Sequence, residues 1–184
     1  MRKNPLCTII VGATNTGKTS LIEKIVRYRK RVLAVTPHQK EWNSYHNINP
    51  SDKGFFKYQG VRRCQSYTDV IKDINASGNY FRNGVLIFDD AKFYVNSKVE
   101  KALEQILIAR DQRKIDIIVS AHGLTHIPPI FFSYADVFIM FYTQDNILKR
   151  KKDLIWYEEL LELQKKVNDQ SKIDFHYYDS FKTK

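Results

Sequence analysis

Apolar positions along this chain follow two different periods, and the switches between them divide it into strands and helices. Leu6 to Val11 is a run of six largely apolar residues, the pattern of a central strand buried on both faces. Gly12 to Gly17 then reads as a turn. A helix is predicted from Lys18, with Leu21, Ile22, Ile25 and Val26 on one apolar face and a basic cluster at its end around Arg31. Val32 to Val35 is a second strand, stopped by Pro37. Residues 38–66 are polar and aromatic, carry Pro50 and Gly54, and predict only a short strand at Val61 to Cys64. Tyr67 to Ala76 predicts a short helix ended by Gly78, and Val85 to Phe88 another buried strand. Ser97 is the expected cap of a helix whose stripe is Val99, Ala102, Leu103, Ile106 and Leu107. Ile115 to Val119 and Val137 to Tyr142 are further strands, the second after a link holding Pro128 and Pro129. Leu154 to Val167 predicts an amphipathic helix, and Ile173 to Tyr178 an edge strand. Strands alternating with helices define the α/β class, a mostly parallel sheet flanked by helices and joined by right-handed crossovers. No repeat, low-complexity tract or linker interrupts the pattern, so one domain is expected over residues 1–184.

Bulk composition narrows the class. With 184 residues, 43% hydrophobic and 27% charged, the chain can bury a core without disulfides or a structural metal. Its longest apolar runs are far shorter than the roughly 20 residues of a membrane span, so no membrane association is expected. The opening MRKNPLCTIIVG has a basic start, but its apolar run ends at Gly12, below the roughly 7 to 15 residues of a secretory signal. Cys7 and Cys64 lack CxxC spacing, which suits reduced thiols in a cytoplasmic protein, and the five histidines form no metal box. The net charge of +10 suits a polyanionic partner such as nucleic acid, or equally a soluble protein from a lysine-rich proteome.

The sharpest signal is chemical. GATNTGKT, from Gly12 to Thr19, fits G-x-x-x-x-G-K-[ST] without a mismatch, between an apolar strand and an amphipathic helix. In such a loop the glycines let consecutive backbone N–H groups of Gly12, Ala13, Thr14, Asn15, Thr16 and Gly17 turn inward toward phosphates. The following helix adds its positive end. Lys18 is expected on the β- and γ-phosphates and Thr19 on Mg²⁺, with Ser20 beside them among the nucleotide-binding residues. A nucleoside triphosphate and Mg²⁺ are thus the expected cofactors, and no guanine-reading N-K-x-D is present. VLIFDD, from Val85 to Asp90, is an apolar strand ending in two acids. Asp89 can hold Mg²⁺ through a water and Asp90 can polarise the attacking water, a solvated turn being the plain alternative.

Taken in order, GATNTGKT, VLIFDDA and ILIARDQRKIDIIVSAHGLTHIPPIFFSYADVFIMFY resemble the FtsK–HerA superfamily of DNA-pumping ATPases. The likeness is greatest to the small viral and mobile-element genome-packaging ATPases and the Zot-like proteins. It runs over most of residues 6–143 and is weakest from 38 to 80. It implies a P-loop NTPase core of the RecA/FtsK–HerA type that hydrolyses ATP and translocates DNA through sequence-independent backbone contacts. It implies a pentameric or hexameric homo-oligomeric ring, capsid or portal components as candidate partners, and a location in the host cytoplasm or with the virion. The family's glutamine after the fourth core strand is replaced here by His122, which can also donate a hydrogen bond to a γ-phosphate. The family's trans-acting arginine matches either Arg110 or Arg113. Arg110 is favoured because it follows Leu103, Ile106 and Leu107 on one helix face, where a charge calls for a partner outside the subunit. It also precedes its strand, placing it about 20 Å from its own phosphate site.

Three stretches mix charge with function less clearly. Arg27 to Arg31 and Lys149 to Lys152 can face DNA phosphates or simply be solvated helix and loop ends. Phe55, Phe56 and Tyr58, with Lys57, Arg62 and Arg63, suit either single-strand stacking or core packing. A small-molecule or nucleoside kinase and a slow nucleotide-dependent switch remain the competing functions. DNA-stimulated turnover, phosphoryl transfer to a nucleoside, and binding without turnover distinguish the three.

Overall fold

The computed structural model describes residues 4–76 and 81–183. Its strands are β1 (Cys7–Val11), β2 (Arg31–Thr36), β3 (Gly60–Gln65), β4 (Gly84–Asp89), β5 (Ile115–Ala121), β6 (Val137–Phe141) and β7 (Tyr178–Lys182). The helices are α1 (Lys18–Val26), α2 (Val70–Ile74), α3 (Ser97–Ile108), α4 (Arg110–Arg113) and α5 (Tyr157–Gln170). All seven strands join one sheet in the order β3-β2-β4-β5-β1-β6-β7. Every pairing from β3 across to β6 is parallel, and β7 closes the edge antiparallel to β6.

Alternating side chains send each inner strand into two separate cores. Ile9 and Val11, Leu33 and Val35, and Leu86 and Phe88 enter the larger one, under α2, α3 and α5. Ile10, Val32, Ala34, Val85 and Ile87 enter the smaller one, where Ile22 and Val26 of α1 meet them with Trp42. Burial on both faces is why these strands read as apolar runs rather than alternating ones. Cys7 and Cys64 are buried free thiols, and burial pushes both pKa values up to about 12. No helix among the described residues is long and apolar enough to cross a membrane.

Several local expectations need correction. The cap of α3 is Asn96, one residue before Ser97: its extended backbone aims its side-chain oxygen at the Lys98 N–H, 2.9 Å away. The edge strand lies at Tyr178–Lys182 rather than Ile173 to Tyr178, because residues 171–177 turn back after α5 and leave Ile173 86% exposed. The short helix after Tyr67 narrows to Val70–Ile74, and its expected stop, Gly78, lies outside the described residues.

The basic run from Arg27 to Arg31 is split by the fold. Arg31 is buried, with its guanidinium 4.6 Å from the Phe81 ring centroid and 4.8 Å from that of Tyr58. It donates to the carbonyls of Phe55 and Arg82. Phe55 itself is fully buried and Arg63 nearly so, which decides for core packing at those two positions. Arg29 pairs with Asp116 at 2.8 Å. Arg27, Arg29 and Lys30 are exposed, so three of the run's four cations keep the surface character expected of it. Arg31→Ala removes two hydrogen bonds and three ring contacts together, and should destabilise the fold by about 2–4 kcal/mol in denaturant titration.

Candidate active site

The glycines of the loop answer to geometry. Gly17 has φ 102°, in the left-handed region where a side chain is strained. A Cβ on Gly12 would stand 2.5 Å from Cβ of Phe141 on the neighbouring β6. Between them Thr16 is fully buried and its hydroxyl donates to the Ala13 carbonyl at 2.8 Å. Lys18 reaches back over the loop and donates to the Gly12 and Ala13 carbonyls, both at 2.8 Å. Burial lowers its pKa, against the opposing pull of Asp90, Asp89 and Glu41.

Asp89 ends β4 and is buried. Ser120 Oγ donates to its Oδ1 at 2.6 Å, and Thr36 Oγ1 and Trp42 Nε1 donate to its Oδ2 at 3.1 and 3.3 Å. Glu41 shares a hydrogen bond with the same carboxyl. That bond, with burial and the Asp89 charge, pushes the Glu41 pKa up to about 7. Asp90 then turns away, because its backbone adopts φ 45°, ψ 50°, a left-handed conformation that aspartate tolerates. Its Oδ2 lies 2.6 Å from His38 Nε2 and 3.6 Å from His122 Nε2. Burial acts to lower the His38 pKa, but the hydrogen bond to Asp90 and the charges of Glu41, Asp90 and Asp89 outweigh it and raise it. His122 also stands 3.5 Å from the Thr14 hydroxyl.

These groups meet in one cavity of about 320 Å³, lined in part by Lys18, Thr19, Asp89, Asp90 and His122. Thr14, Asn15, Gly17 and Ser20 line it as well, whereas Gly12, Ala13 and Thr16, also predicted from the sequence, are not part of its lining. The oxygens of Thr19 and Asp89 are hard donors suited to Mg²⁺. Among the described residues no cluster of three or more acid, histidine or cysteine side chains forms a dedicated metal cage. Mg²⁺ is generally held by one or two protein oxygens together with substrate phosphates.

Thr36, His38, Glu41, Trp42, Ser120 and His176 were not singled out from the sequence. Thr36 and Ser120 carried a readable sign, as polar residues at or near the carboxyl ends of buried strands. The others reach the site from irregular segments, which carry no periodicity.

Arg110 is the one predicted catalytic residue outside this cavity. It lies at the opposite edge of the sheet, as expected, lining a hollow of about 520 Å³ with Leu6, Asp116 and Asp136. Its charge has partners inside the subunit as well. Arg110 pairs with Asp136 at 3.0 Å and donates to the Tyr134 carbonyl at 3.1 Å, within its own subunit. It also starts α4 instead of extending the face of α3. Asp136 in turn accepts the Cys7 N–H at 2.9 Å, so the pair ties the starts of β1 and β6 together. Arg113, the other candidate, donates to Asn75 at 2.7 Å.

The fold is that of a P-loop NTPase core, a seven-stranded, mostly parallel sheet flanked by helices. No family model and no curated protein matches the sequence. Solved structures do. The genome packaging NTPase B204 from Sulfolobus turreted icosahedral virus 2, in complex with AMPPCP, is 18% identical over 98% of this chain and 93% of its own, with a TM-score of 0.68. The same protein in complex with AMP is 21% identical over 91% and 88%, with a TM-score of 0.65. B204, the DNA-packaging ATPase from Sulfolobus turreted icosahedral virus, is 18% identical over 97% and 93%, with a TM-score of 0.62. The chain thus has the fold of these packaging ATPases along almost its whole length.

Arg110→Ala should lower the stability of the isolated subunit by about 1–3 kcal/mol, since it strips a largely buried carboxylate of its cation. Unfolding titration at a concentration that excludes assembly measures this.

Proposed function

We propose that this chain is the ATP-hydrolysing motor of a virus or mobile element, moving DNA during genome packaging as a homo-oligomeric ring. The observation that carries the reading is the convergence of Lys18, Thr19, Asp89, Asp90 and His122 on one cavity. The fold shared with the packaging NTPase B204 supports the choice of DNA as cargo. B204 has been solved with AMPPCP and with ATP-gammaS, which supports an adenine nucleotide as the fuel here.

In this reading the loop N–H groups and Lys18 hold the phosphates, Lys18 exchanging its two carbonyl contacts for phosphate oxygens. Thr19 and Asp89 would hold Mg²⁺, which supplies charge neutralisation between the β- and γ-phosphates. Asp90 orients the attacking water and accepts its proton, while the oxygen of that water bonds to the γ-phosphorus and the bond to ADP breaks. His38 and His122, both beside Asp90, steady its carboxylate. His122 also donates to a γ-phosphate oxygen in this reading. DNA is gripped through its backbone by surface cations such as Arg27, Lys30, Lys149 and Lys152, without reading sequence. Capsid or portal components are the expected docking partners, in host cytoplasm or virion. Five or six subunits make the ring, and Arg110 acts across a subunit boundary by exchanging Asp136 for a neighbour's phosphate.

The test is ATPase turnover with and without DNA at several protein concentrations. DNA should stimulate turnover, and specific activity should rise with concentration as rings assemble. DNA affinity should fall steeply with salt on unrelated sequences; phosphoryl transfer to a nucleoside instead of water would sink the motor reading. Lys18→Ala should lose tight ATP binding with an unchanged circular dichroism spectrum. Asp90→Asn should bind ATP and hydrolyse it at least about a hundredfold more slowly.

A further inference from the structure

The sheet order fixes the direction in which a bound triphosphate runs. The phosphate loop follows β1, and the strands that carry Asp89, Asp90 and His122 at their ends, β4 and β5, lie on one side of it. β6 and β7 lie on the other side. A reacting γ-phosphate sits beside the acids, so the nucleoside must extend toward β6 and β7.

On that side the turn between α5 and β7 returns to the loop. His176 Nδ1 stands 3.2 Å from the Thr16 carbonyl oxygen, and 3.5 Å from the place a Cβ on Gly17 would occupy. The imidazole lines the same cavity as Lys18, Thr19 and Ser20. Asp174 fixes the turn by accepting the His176 N–H at 2.9 Å. A carbonyl only accepts, so Nδ1 carries the proton in this contact, and in the neutral ring Nε2 is left as an acceptor. Aromatic surface continues from there. Phe175 meets His176 edge-on at 6.0 Å between centroids and Tyr142 at 5.8 Å. The Tyr142 carbonyl accepts the Ala13 N–H at 2.7 Å, which ties these rings to the phosphate loop. Phe175 nevertheless leaves 44% of its surface uncovered.

We propose that His176 and Phe175 hold the nucleoside end of the nucleotide. Nε2 of His176 accepts a hydrogen bond from a base amine or a ribose hydroxyl, and the exposed Phe175 ring supplies a stacking face. This makes a residue far along the chain part of nucleotide selection, and it gives the 171–177 turn a ligand to close on. The proposal rests on the phosphate-loop reading above, and its test separates the two.

Calorimetric affinities for ATP and for inorganic tripolyphosphate should be compared among the unaltered chain, His176→Ala and Phe175→Ala. Both variants are expected to lose about tenfold or more in ATP affinity, the scale of a lost base stack, while holding tripolyphosphate as before. Retained tripolyphosphate binding also shows that the loop is folded in each variant. Equal losses for both ligands would mean that His176 merely props the loop, and unchanged ATP affinity in either variant would place the nucleoside elsewhere; each result overturns the proposal. An unaltered chain that binds neither ligand removes the phosphate-loop reading, and this proposal with it.

Discussion

A carboxylate taken out of water must find hydrogen-bond donors or give up its charge, and Asp89 finds them at the ends of two other strands. Ser120 comes from β5, Thr36 from β2, and the Trp42 indole from the segment that follows β2. With β4 itself, three adjacent strand ends are therefore set at one level around one acid. That common level is what the cavity is built on. It brings His38 and Glu41 in behind β2 and His122 in behind β5, so the groups around Asp90 owe their positions to the demands of its neighbour.

The two consecutive acids separate because their backbones differ. Asp89 still obeys the strand and points into the network of hydroxyls. Asp90 leaves it through a left-handed turn and meets two imidazoles instead. Strand alternation alone would also have separated them, but it would not have set Asp90 against His38. The arrangement concentrates negative charge inside a molecule whose net charge is +10. Lys18 and His38, whose charged forms these acids favour, are the local balance.

How much was legible follows from which forces leave a periodic trace. The phosphate loop was readable because its spacing reflects backbone geometry that few sequences satisfy, and the inner strands because burial on both faces writes unbroken apolar runs. β7 left no such trace: its YDSFK alternates between exposed and half-buried positions, while the apolar residues just before it, Ile173 and Phe175, lie in an exposed turn. Residues 38–66 were opaque because Trp42, Ile48 and Phe55 bury one at a time from irregular backbone. Arg31 misled for a related reason. A cation in a basic run reads as surface, and only the three aromatic rings gathered around it from distant positions make its burial tolerable. The intrasubunit partner of Arg110, Asp136, lies across the fold and could not be read from the helix face alone.

Trp42 gives the site an optical property. Its indole N–H donates to the Asp89 carboxylate, in a left-handed backbone conformation with φ 59° and with nearly its whole surface covered. Indole emission responds to the charge and polarity around the ring. The second of the two tryptophans, Trp156, sits against Phe138 and Phe181 on the β6–β7 side and shares none of these contacts. One fluorophore is thus wired to the acid at the centre of the site while the other supplies a steady background, so that events at Asp89 are written into the colour and intensity of the protein's own light without any label.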